Sequence, residues 1–210
     1  MTTADVILDP RKIEERSFAI IEREVGPHDF DARQWPIVRR IIHTTADFEF
    51  TAATRFSPEA LTAGLAALRR GAGILCDTNM VLAGINKTRL APFGSSLACH
   101  VADPEVAARA RREGITRSIL ATRKGVAEER EIFLVGNAPT ALFELLRLAA
   151  EGAVRPALVV GVPVGFVGAA ESKEALLASG LPFITCRGRK GGSAIAAAIL
   201  NALTLLAAEG

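Results

Sequence analysis

The sequence predicts a doubly wound α/β fold, in which a mainly parallel sheet is flanked by helices and preceded by N-terminal helices. Two observations support this prediction. From residue 73 onward, short and continuously apolar runs alternate with longer amphipathic or alanine-rich runs, and strands buried on both faces of a parallel sheet have that apolar character. Each parallel crossover also needs a long connection, which is normally a helix, and the longer runs provide it.

The first part of the chain is predicted to be helical. Residues 10–24 interleave apolar and charged side chains at helical spacing, and residues 31–42 continue in the same way. A third helix is predicted over residues 57–70, with Ser57 as its N-cap and Pro58 in the first helical position.

The rest of the chain alternates between strands and helices. Strands are predicted over residues 73–76, 96–100, 131–135, 157–161 and 182–186. Helices are predicted over residues 77–84, 104–113, 116–128, 139–151, 170–178 and 193–207. The last helix consists almost entirely of Ala, Ile and Leu, so we expect it either to be buried against the sheet or to form a subunit interface.

Composition narrows the class of protein. The 210 residues suit one domain spanning residues 1–210. Half of the residues are hydrophobic, yet no apolar run reaches the roughly 18 residues that span a bilayer, and no secretory signal precedes the first helix. We therefore expect a cytoplasmic protein without a membrane segment. A net charge of +2 and an aromatic content of 5% argue against a nucleic-acid partner.

The cysteines predict no metal site. The sequence contains three, Cys76, Cys99 and Cys186, and they form neither a CxxC motif nor a Cys/His cluster with the spacing of metal ligands. We expect no bound metal.

In doubly wound sheets, ligands bind outside the carboxyl ends of the strands, so the segments that follow strands are candidate sites. Residues 161–173 contain three glycines ahead of a predicted helix, among them Gly165 and Gly168. Such a turn lets a backbone approach a carboxylate or phosphate closely, or it merely makes a tight turn. The spacing matches neither the Walker motif nor GxGxxG.

Two further segments repeat this pattern. Asn137 lies between a glycine and the proline that begins a helix, where it would act as a cap or as a ligand donor. Arg187 and Arg189 lie in a glycine-rich turn ahead of the last helix. Guanidinium groups pair with carboxylates in bidentate fashion, so this turn is either an anion site or a solvated basic loop.

Other polar candidates are weaker when taken singly. Asp77 follows a predicted strand and would cap the next helix, whereas Thr78 or Asn79 is a candidate ligand contact. Arg16 and Arg117 each stand beside a serine, an arrangement that is more often a surface pair than a site.

Acid–base chemistry has few candidates, because the chain has three histidines and no tyrosine. His43 lies where a basic, apolar segment changes to hydroxyl and carboxylate side chains, and it would be either a proton donor or a histidine that only hydrogen-bonds near a helix end. His100, at the end of a predicted strand, competes with it, and His28 is expected in a surface loop. Asp47 and Glu49 would share one face of an extended segment, without an evident partner.

Taken together, these motifs resemble those of the precorrin-8X methylmutase family, which includes the cobalt-precorrin-8 methylmutases of corrinoid biosynthesis. The matching segments extend over nearly the whole chain in the order of the family. They are residues 15–21, 42–47, 75–77, 136–142, 161–173, 187–189 and 191–194.

The resemblance implies an isomerase that moves a methyl group from C11 to C12 of a corrin-precursor macrocycle, giving hydrogenobyrinic acid or its cobalt form. It also implies that His43 is the proton donor or acceptor, that Ser17 is a substrate contact, that no cofactor is needed and that the protein is a homodimer. The substrate is a macrocyclic polycarboxylate. We infer that its carboxylates are held by glycine-turn backbone donors and by four arginines, namely Arg16, Arg117, Arg187 and Arg189.

Two other functions remain open at this stage. A corrinoid carrier protein would bind the same macrocycle without isomerising it. A nucleotide-dependent enzyme on the same fold is the third possibility, and the missing phosphate motifs argue against it.

Overall fold

The computed structural model describes residues 7–209, which contain one six-stranded sheet. The strands are β1 (Thr54–Phe56), β2 (Ile74–Cys76), β3 (Leu97–Ala98), β4 (Ile132–Val135), β5 (Leu158–Gly161) and β6 (Phe183–Cys186). Their order across the sheet is β1-β6-β5-β4-β2-β3. Only β1 is antiparallel to its neighbour, and the other pairs are parallel. The predicted fold class is confirmed.

Helices connect and cover these strands, as the alternation of apolar and amphipathic runs predicts. Before β2 they are α1 (Pro10–Val25), α2 (Gln34–Thr45), α3 (Glu49–Ala53) and α4 (Ala60–Arg69). After β2 they are α5 (Asn79–Gly84), α6 (Lys87–Leu90), α7 (Pro104–Glu113), α8 (Arg117–Ala127), α9 (Pro139–Ala150), α10 (Ala169–Leu177) and α11 (Ser193–Ala208). Within residues 7–209, no helix is both long enough and apolar enough to cross a membrane.

The strand side chains alternate between two cores, because successive residues of a strand point to opposite faces of the sheet. Ile132 and Leu134 of β4 join the larger core with α2, α4 and α11. Phe133 and Val135 join a second core, which is formed with α9 and α10 on the other face. Both faces are therefore dry, which explains why β4 and its neighbours are continuously apolar.

The C-terminal helix is buried within the chain. Helix α11 packs against α2, α4 and α5 and against β4 and β5. Most of its residues are buried, except for a stripe that includes the exposed Ala194 and the partly exposed Asn201 and Leu205. Of the two alternatives for its apolar surface, burial against the sheet is therefore the one observed. Helix α2 lies against α11 through Ile37, Val38, Ile41 and Ile42, all of which are buried.

Three local predictions were wrong. Helix α4 begins at Ala60, and Ser57 does not cap it, because the Ser57 Oγ accepts the Phe183 N–H at 2.9 Å and joins the loop to β6. Strand β1 was not predicted, since three residues with a central arginine carry no apolar pattern and pair only through the tertiary fold. The short helices α3 and α6 also went unpredicted, because they are single turns that tertiary contacts stabilise.

Asp77 also differs from its predicted role. Thr78 caps α5, since its Oγ1 accepts the Val81 N–H. The buried Asp77 carboxylate instead accepts the backbone N–H groups of residues 136, 137 and 138 at 3.1, 2.8 and 2.8 Å, which lie just before α9. Burial raises the pKa of the Asp77 carboxyl group, and the three N–H donors oppose that shift. Asp77 thereby ties the end of β2 to the start of α9.

We predict that Asp77→Asn lowers the free energy of unfolding by about 2–3 kcal/mol, because an amide has one acceptor oxygen for three buried donors. Urea denaturation followed by circular dichroism measures this. The matched control is Asp31→Asn, since the exposed Asp31 Oδ1 also accepts two backbone N–H groups, each at 2.8 Å. We expect the control to change stability by less than about 0.5 kcal/mol, because Asn caps helices as well as Asp does. Equal losses in the two variants would contradict the role given to Asp77.

Candidate active site

Four loops meet at the carboxyl edge of the parallel strands, where doubly wound sheets bind ligands. They are residues 77–78, 136–138, 162–168 and 187–192, which follow β2, β4, β5 and β6. The Thr78 and Ser193 hydroxyls lie 3.1 Å apart, which joins the first loop to the start of α11. The Gly192 N–H donates to the Val162 carbonyl at 2.8 Å, which joins the last two loops. The loops therefore form one continuous surface.

Asn137 is exposed on this surface, but its backbone is not available to a ligand. The N–H groups around it are already bound to Asp77. These three N–H groups are therefore not free to bind an anion, and the predicted donor role of Asn137 can involve only its side chain.

Gly165 and Gly168 have φ angles of 149° and 76°, a region that favours glycine, and Gly168 precedes the first residue of α10. The loop that they belong to carries exposed apolar side chains. Phe166 and Val167 are 84% and 90% exposed, and Met80 at the start of α5 is 71% exposed. Sequence reasoning did not single out these side chains, because an isolated apolar residue in a loop gives no sign of its exposure.

The loop of residues 187–192 adds positive charge beside this apolar surface. Arg187 and Arg189 are exposed. The Arg189 guanidinium carbon lies 5.5 Å from the centroid of the Phe166 ring. The Arg187 Nε lies 3.8 Å from the Glu174 Oε1, which makes a long ion pair. Cationic and apolar groups therefore alternate along the edge of the sheet.

His43 lies on α2, exposed to solvent, and lines a groove of about 330 Å³. The groove is bounded by α2, α5, α6 and α11, and its lining residues are Arg40, His43, Thr44, Gly84, Arg89, Ala194, Ala197, Ala198 and Asn201. The alanines of α11 form the floor of the groove, and Arg40 and Arg89 lie at its sides. His43 thus places an exposed imidazole on a concave, basic surface.

The charges around His43 are largely positive. Arg40 binds Glu14 of α1 at 2.6 Å. The hydrogen bond from Arg40 lowers the pKa of Glu14, and the charges of His43 and Arg89 act in the same direction. The Phe18 ring meets the His43 ring edge-on at 5.4 Å between centroids. Within residues 7–209 no side chain hydrogen-bonds the imidazole, which leaves its nitrogens directed at the groove and solvent.

Asp47 does not orient this imidazole. The Asp47 Oδ2 accepts a hydrogen bond from the Lys190 Nζ at 2.5 Å, and the Glu49 Oε2 lies 2.8 Å from the same Nζ. Glu49 begins helix α3, so the extended segment expected around these two carboxylates was wrong. Lys190 thereby connects the corner after α2 to the loop that carries Arg187 and Arg189.

The remaining predicted residues lie around this core. Ser17 is partly buried on α1, next to Phe18, and its Oγ donates to the Ile13 carbonyl at 2.8 Å. Arg16 is exposed on the same helix. Arg117 begins α8, where the Thr116 and Thr140 hydroxyls, 3.1 Å apart, bring it near the start of α9. Arg117 thus lies on the other face of the sheet from the His43 groove.

Sequence reasoning missed Arg40, Arg89 and Lys190. Arg40 precedes His43 by one helical turn, so the helical pattern was a signal that could have found it. Arg89 and Lys190 reach the site from α6 and from a loop, and only the tertiary fold brings them there.

The other histidines are held in different surroundings. The His100 ring nitrogens each lie 3.0 Å from a carboxylate oxygen, of Asp103 and Glu128. His28 stacks on Trp35 with 4.0 Å between ring centroids, partly buried rather than in an open loop. Neither lines the His43 groove.

The thiols are not activated nucleophiles. Burial raises the pKa of Cys76, Cys99 and Cys186. In the described part of the chain, no three His, Cys, Asp or Glu side chains cluster in a way that could hold a metal ion. The arrangement offers one exposed imidazole in a basic groove, beside a larger cationic and apolar surface, and this suits proton transfer to or from a bound polyanion.

Comparison with known proteins agrees with this geometry. The family model described as precorrin-8X methylmutase matches residues 12–206. A cobalt-precorrin-8 methylmutase from Priestia megaterium is 47% identical over 97% of this chain and 91% of its own. A precorrin-8X methylmutase from a Sinorhizobium species is 44% identical over 97% of this chain and 98% of its own.

A solved structure of precorrin-8x methyl mutase from Thermus thermophilus superposes with a TM-score of 0.89, at 48% identity, over 95% of this chain and 97% of that one. The similarity covers the sheet, its flanking helices and the loops at its carboxyl edge. The chain therefore belongs to the precorrin-8X methylmutase family and is an isomerase of corrinoid biosynthesis.

Proposed function

We propose that this chain moves the C11 methyl group of precorrin-8X to C12 to give hydrogenobyrinic acid, with His43 as the general acid and base. We further propose that residues 1–210 act as one cytoplasmic domain and that the reaction needs no cofactor. Family membership supports the reaction. The placement of His43, exposed in a groove with Arg40 and Arg89, is the observation that supports the proton role.

The reaction requires the protein to provide one proton donor and acceptor and to hold the substrate in a fixed orientation. The methyl group leaves C11 and bonds to C12 within the same molecule, so atoms and electrons balance without a redox partner. Protonation of a ring position by the imidazolium makes the methyl group mobile, and return of a proton to the imidazole completes the cycle. Because the net reaction is an isomerisation, one histidine can serve as both donor and acceptor.

The surface around His43 suits a macrocycle with carboxylates at its rim. Exposed Phe166, Val167 and Met80 offer apolar contacts for the ring. Arg187 and Arg189 offer bidentate partners for carboxylates, and we assign the same role to Arg16 and Arg117 at its periphery. Polar contacts to the substrate are assigned to Ser17, Thr78 and Asn137, and close backbone approach to Gly165 and Gly168. Binding at several points fixes the ring against the imidazole.

A carrier protein would use the same surface without His43. The exposure of His43 in the groove favours the isomerase, because a carrier needs no titratable group there. A nucleotide-dependent enzyme is disfavoured, since Asp77 occupies the N–H donors at the start of α9.

We predict that the purified protein converts precorrin-8X to hydrogenobyrinic acid without added nucleotide or metal, and that His43→Ala lowers kcat by at least about a hundredfold. Hydrogenobyrinic acid should still bind the variant, because its carboxylate contacts remain. The absorbance change on mixing measures turnover, and fluorescence or absorbance titration measures binding. Running the cobalt-containing substrate in parallel tests both forms of the ring.

The matched control is His100→Gln, which alters a histidine outside the groove and should keep kcat within about twofold, as expected of a residue without contact to substrate. Undiminished turnover by His43→Ala would overturn the proton role of His43. Tight binding without turnover by the unaltered protein would instead favour the carrier.

We predict that Arg187→Ala and Arg189→Ala each raise KM by about five- to tenfold with little change in kcat, because each removes a charged contact present in both ground and transition states. The increase should shrink at high salt, since exposed charges are screened. Steady-state kinetics at two ionic strengths measures both effects. Arg155→Ala is the control, because Arg155 is exposed just before β5, at the opposite edge of the sheet. An unchanged KM in both loop variants would remove these arginines from the site.

We also propose a homodimer. Exposed apolar side chains that are not assigned to the substrate, Leu8, Ile13 and Ile20, support association, since large apolar side chains on a surface are often covered. We predict a sedimentation-equilibrium mass of twice the 22.2 kDa of one chain. The mass of a single chain across the whole micromolar range would contradict the dimer.

A further inference from the structure

Lys173 of α10 is the least expected buried residue of the chain. Its side chain has no exposed surface. No carboxylate of residues 7–209 lies within ion-pair distance of it, and burial lowers the pKa of its ammonium group. A buried amino group without a carboxylate is costly to the fold, so some other contact must account for it.

That contact is a single carbonyl group in the loop of residues 187–192. The Lys173 Nζ donates to the Lys190 carbonyl oxygen at 2.6 Å. The Cys186 thiol lies 3.2 Å from the same oxygen and 3.8 Å from the Lys173 Nζ. The buried Lys173 side chain therefore contacts the Lys190 carbonyl from the interior of the protein.

The loop itself has no regular secondary structure, so its shape depends on such contacts. Lys190 is held at two points, by Lys173 at its carbonyl and by Asp47 at its ammonium. Arg187 and Arg189 stand on the same loop and are exposed. Any change in the position of Lys190 is therefore passed to Arg189, which directly precedes it, and through Gly188 to Arg187.

The loop of residues 187–192, which Lys173 contacts, also packs against the loop of residues 162–168. A Cβ atom on Gly191 would lie 2.2 Å from the Val162 carbonyl oxygen, so the two loops are packed as closely as glycine permits. The Gly165 N–H donates to the Arg189 carbonyl at 3.2 Å. The anchor at Lys190 thus fixes the arginines relative to the apolar side chains of residues 164–167.

We infer that Lys173 is a positioning residue for substrate binding, which holds the Lys190 carbonyl so that Arg187 and Arg189 meet the carboxylates of the macrocycle. This rests on the proposed function. Lys173 touches no substrate, and its effect passes entirely through the loop.

The first test is Lys173→Met, which keeps an unbranched apolar side chain of similar volume and removes the donor. We expect KM for precorrin-8X and Kd for hydrogenobyrinic acid to rise about tenfold, the effect of losing one or two well-placed charged contacts, with kcat within about twofold. We also expect faster cleavage by trypsin after Arg187, Arg189 and Lys190 at 25 °C, because the loop opens more often. Mass spectrometry of the fragments locates the cuts.

Ser172→Ala is the matched control. Ser172 is the preceding residue of α10 and equally buried, but its Oγ donates within the helix, to the Ala169 carbonyl at 3.0 Å. It should lower thermal stability without changing KM or the cleavage rate in the loop. If Lys173→Met does not fold, Lys173→Gln takes its place with the same expected directions, since its shorter side chain does not reach the carbonyl.

A double-mutant cycle separates positioning from general destabilisation. In the Arg187→Ala/Arg189→Ala background, Lys173→Met should raise KM by less than about twofold, because residues that act through one another are not additive. A full additional tenfold rise, or an unchanged KM and cleavage rate in the single variant, would overturn the inference. If the unaltered protein shows no turnover, the proposed function fails, whereas the trypsin measurement still decides whether Lys173 holds the loop.

Discussion

The packing of α11 against the sheet and against α2, α4 and α5 is the constraint on which the rest of the molecule depends. A helix of Ala, Ile and Leu can pack closely against both the sheet and another helix, because its side chains are small enough to let backbones approach. Helix α2 lies on this packed helix through four buried aliphatic residues. The same contact sets where His43 stands, since the groove beside His43 has the alanines of α11 as its floor. The contact between α2 and α11 therefore both contributes to the core and sets the position of His43.

The charged and polar groups at the carboxyl edge of the sheet are partly paired within the chain and partly exposed. At the start of α9 the chain satisfies its own N–H groups with Asp77, which removes that helix end as an anion site. At the end of β6 it does the opposite, leaving Arg187 and Arg189 exposed while Lys190 is tied to two carboxylates. Lys190 is thus paired with two carboxylates, whereas Arg187 and Arg189 are exposed, and Arg187 has only the Glu174 carboxylate nearby, at 3.8 Å. The polycarboxylate of the proposed function would therefore meet a basic, apolar surface whose shape is set by contacts within the chain.

The site is assembled from elements far apart in the chain. His43 comes from the helices that precede the sheet in the chain, and the arginine loop follows the last strand, β6. Lys190 and Asp47 connect the two, across an interval of 143 residues. Under the proposed function this division suits an isomerisation, because the part with His43 would provide the proton and the part with the arginine loop would hold the ring. Each part can be altered separately, so kcat and KM report on different regions of the molecule.

The sequence by itself determined the fold class, most helix and strand positions and the residues that resemble a methylmutase, because hydrophobic periodicity and local motifs are properties of short segments. It also singled out His43, from the scarcity of other proton donors. Only the tertiary structure decided what Asp77 binds, what covers α11, and that Arg89 and Lys190 reach the site. Those outcomes depend on contacts between residues distant in the chain, such as Asp77 with residues 136–138, and no local pattern encodes them. The same is true of Lys173, whose burial beneath the arginine loop follows from the packing of α10 on β6.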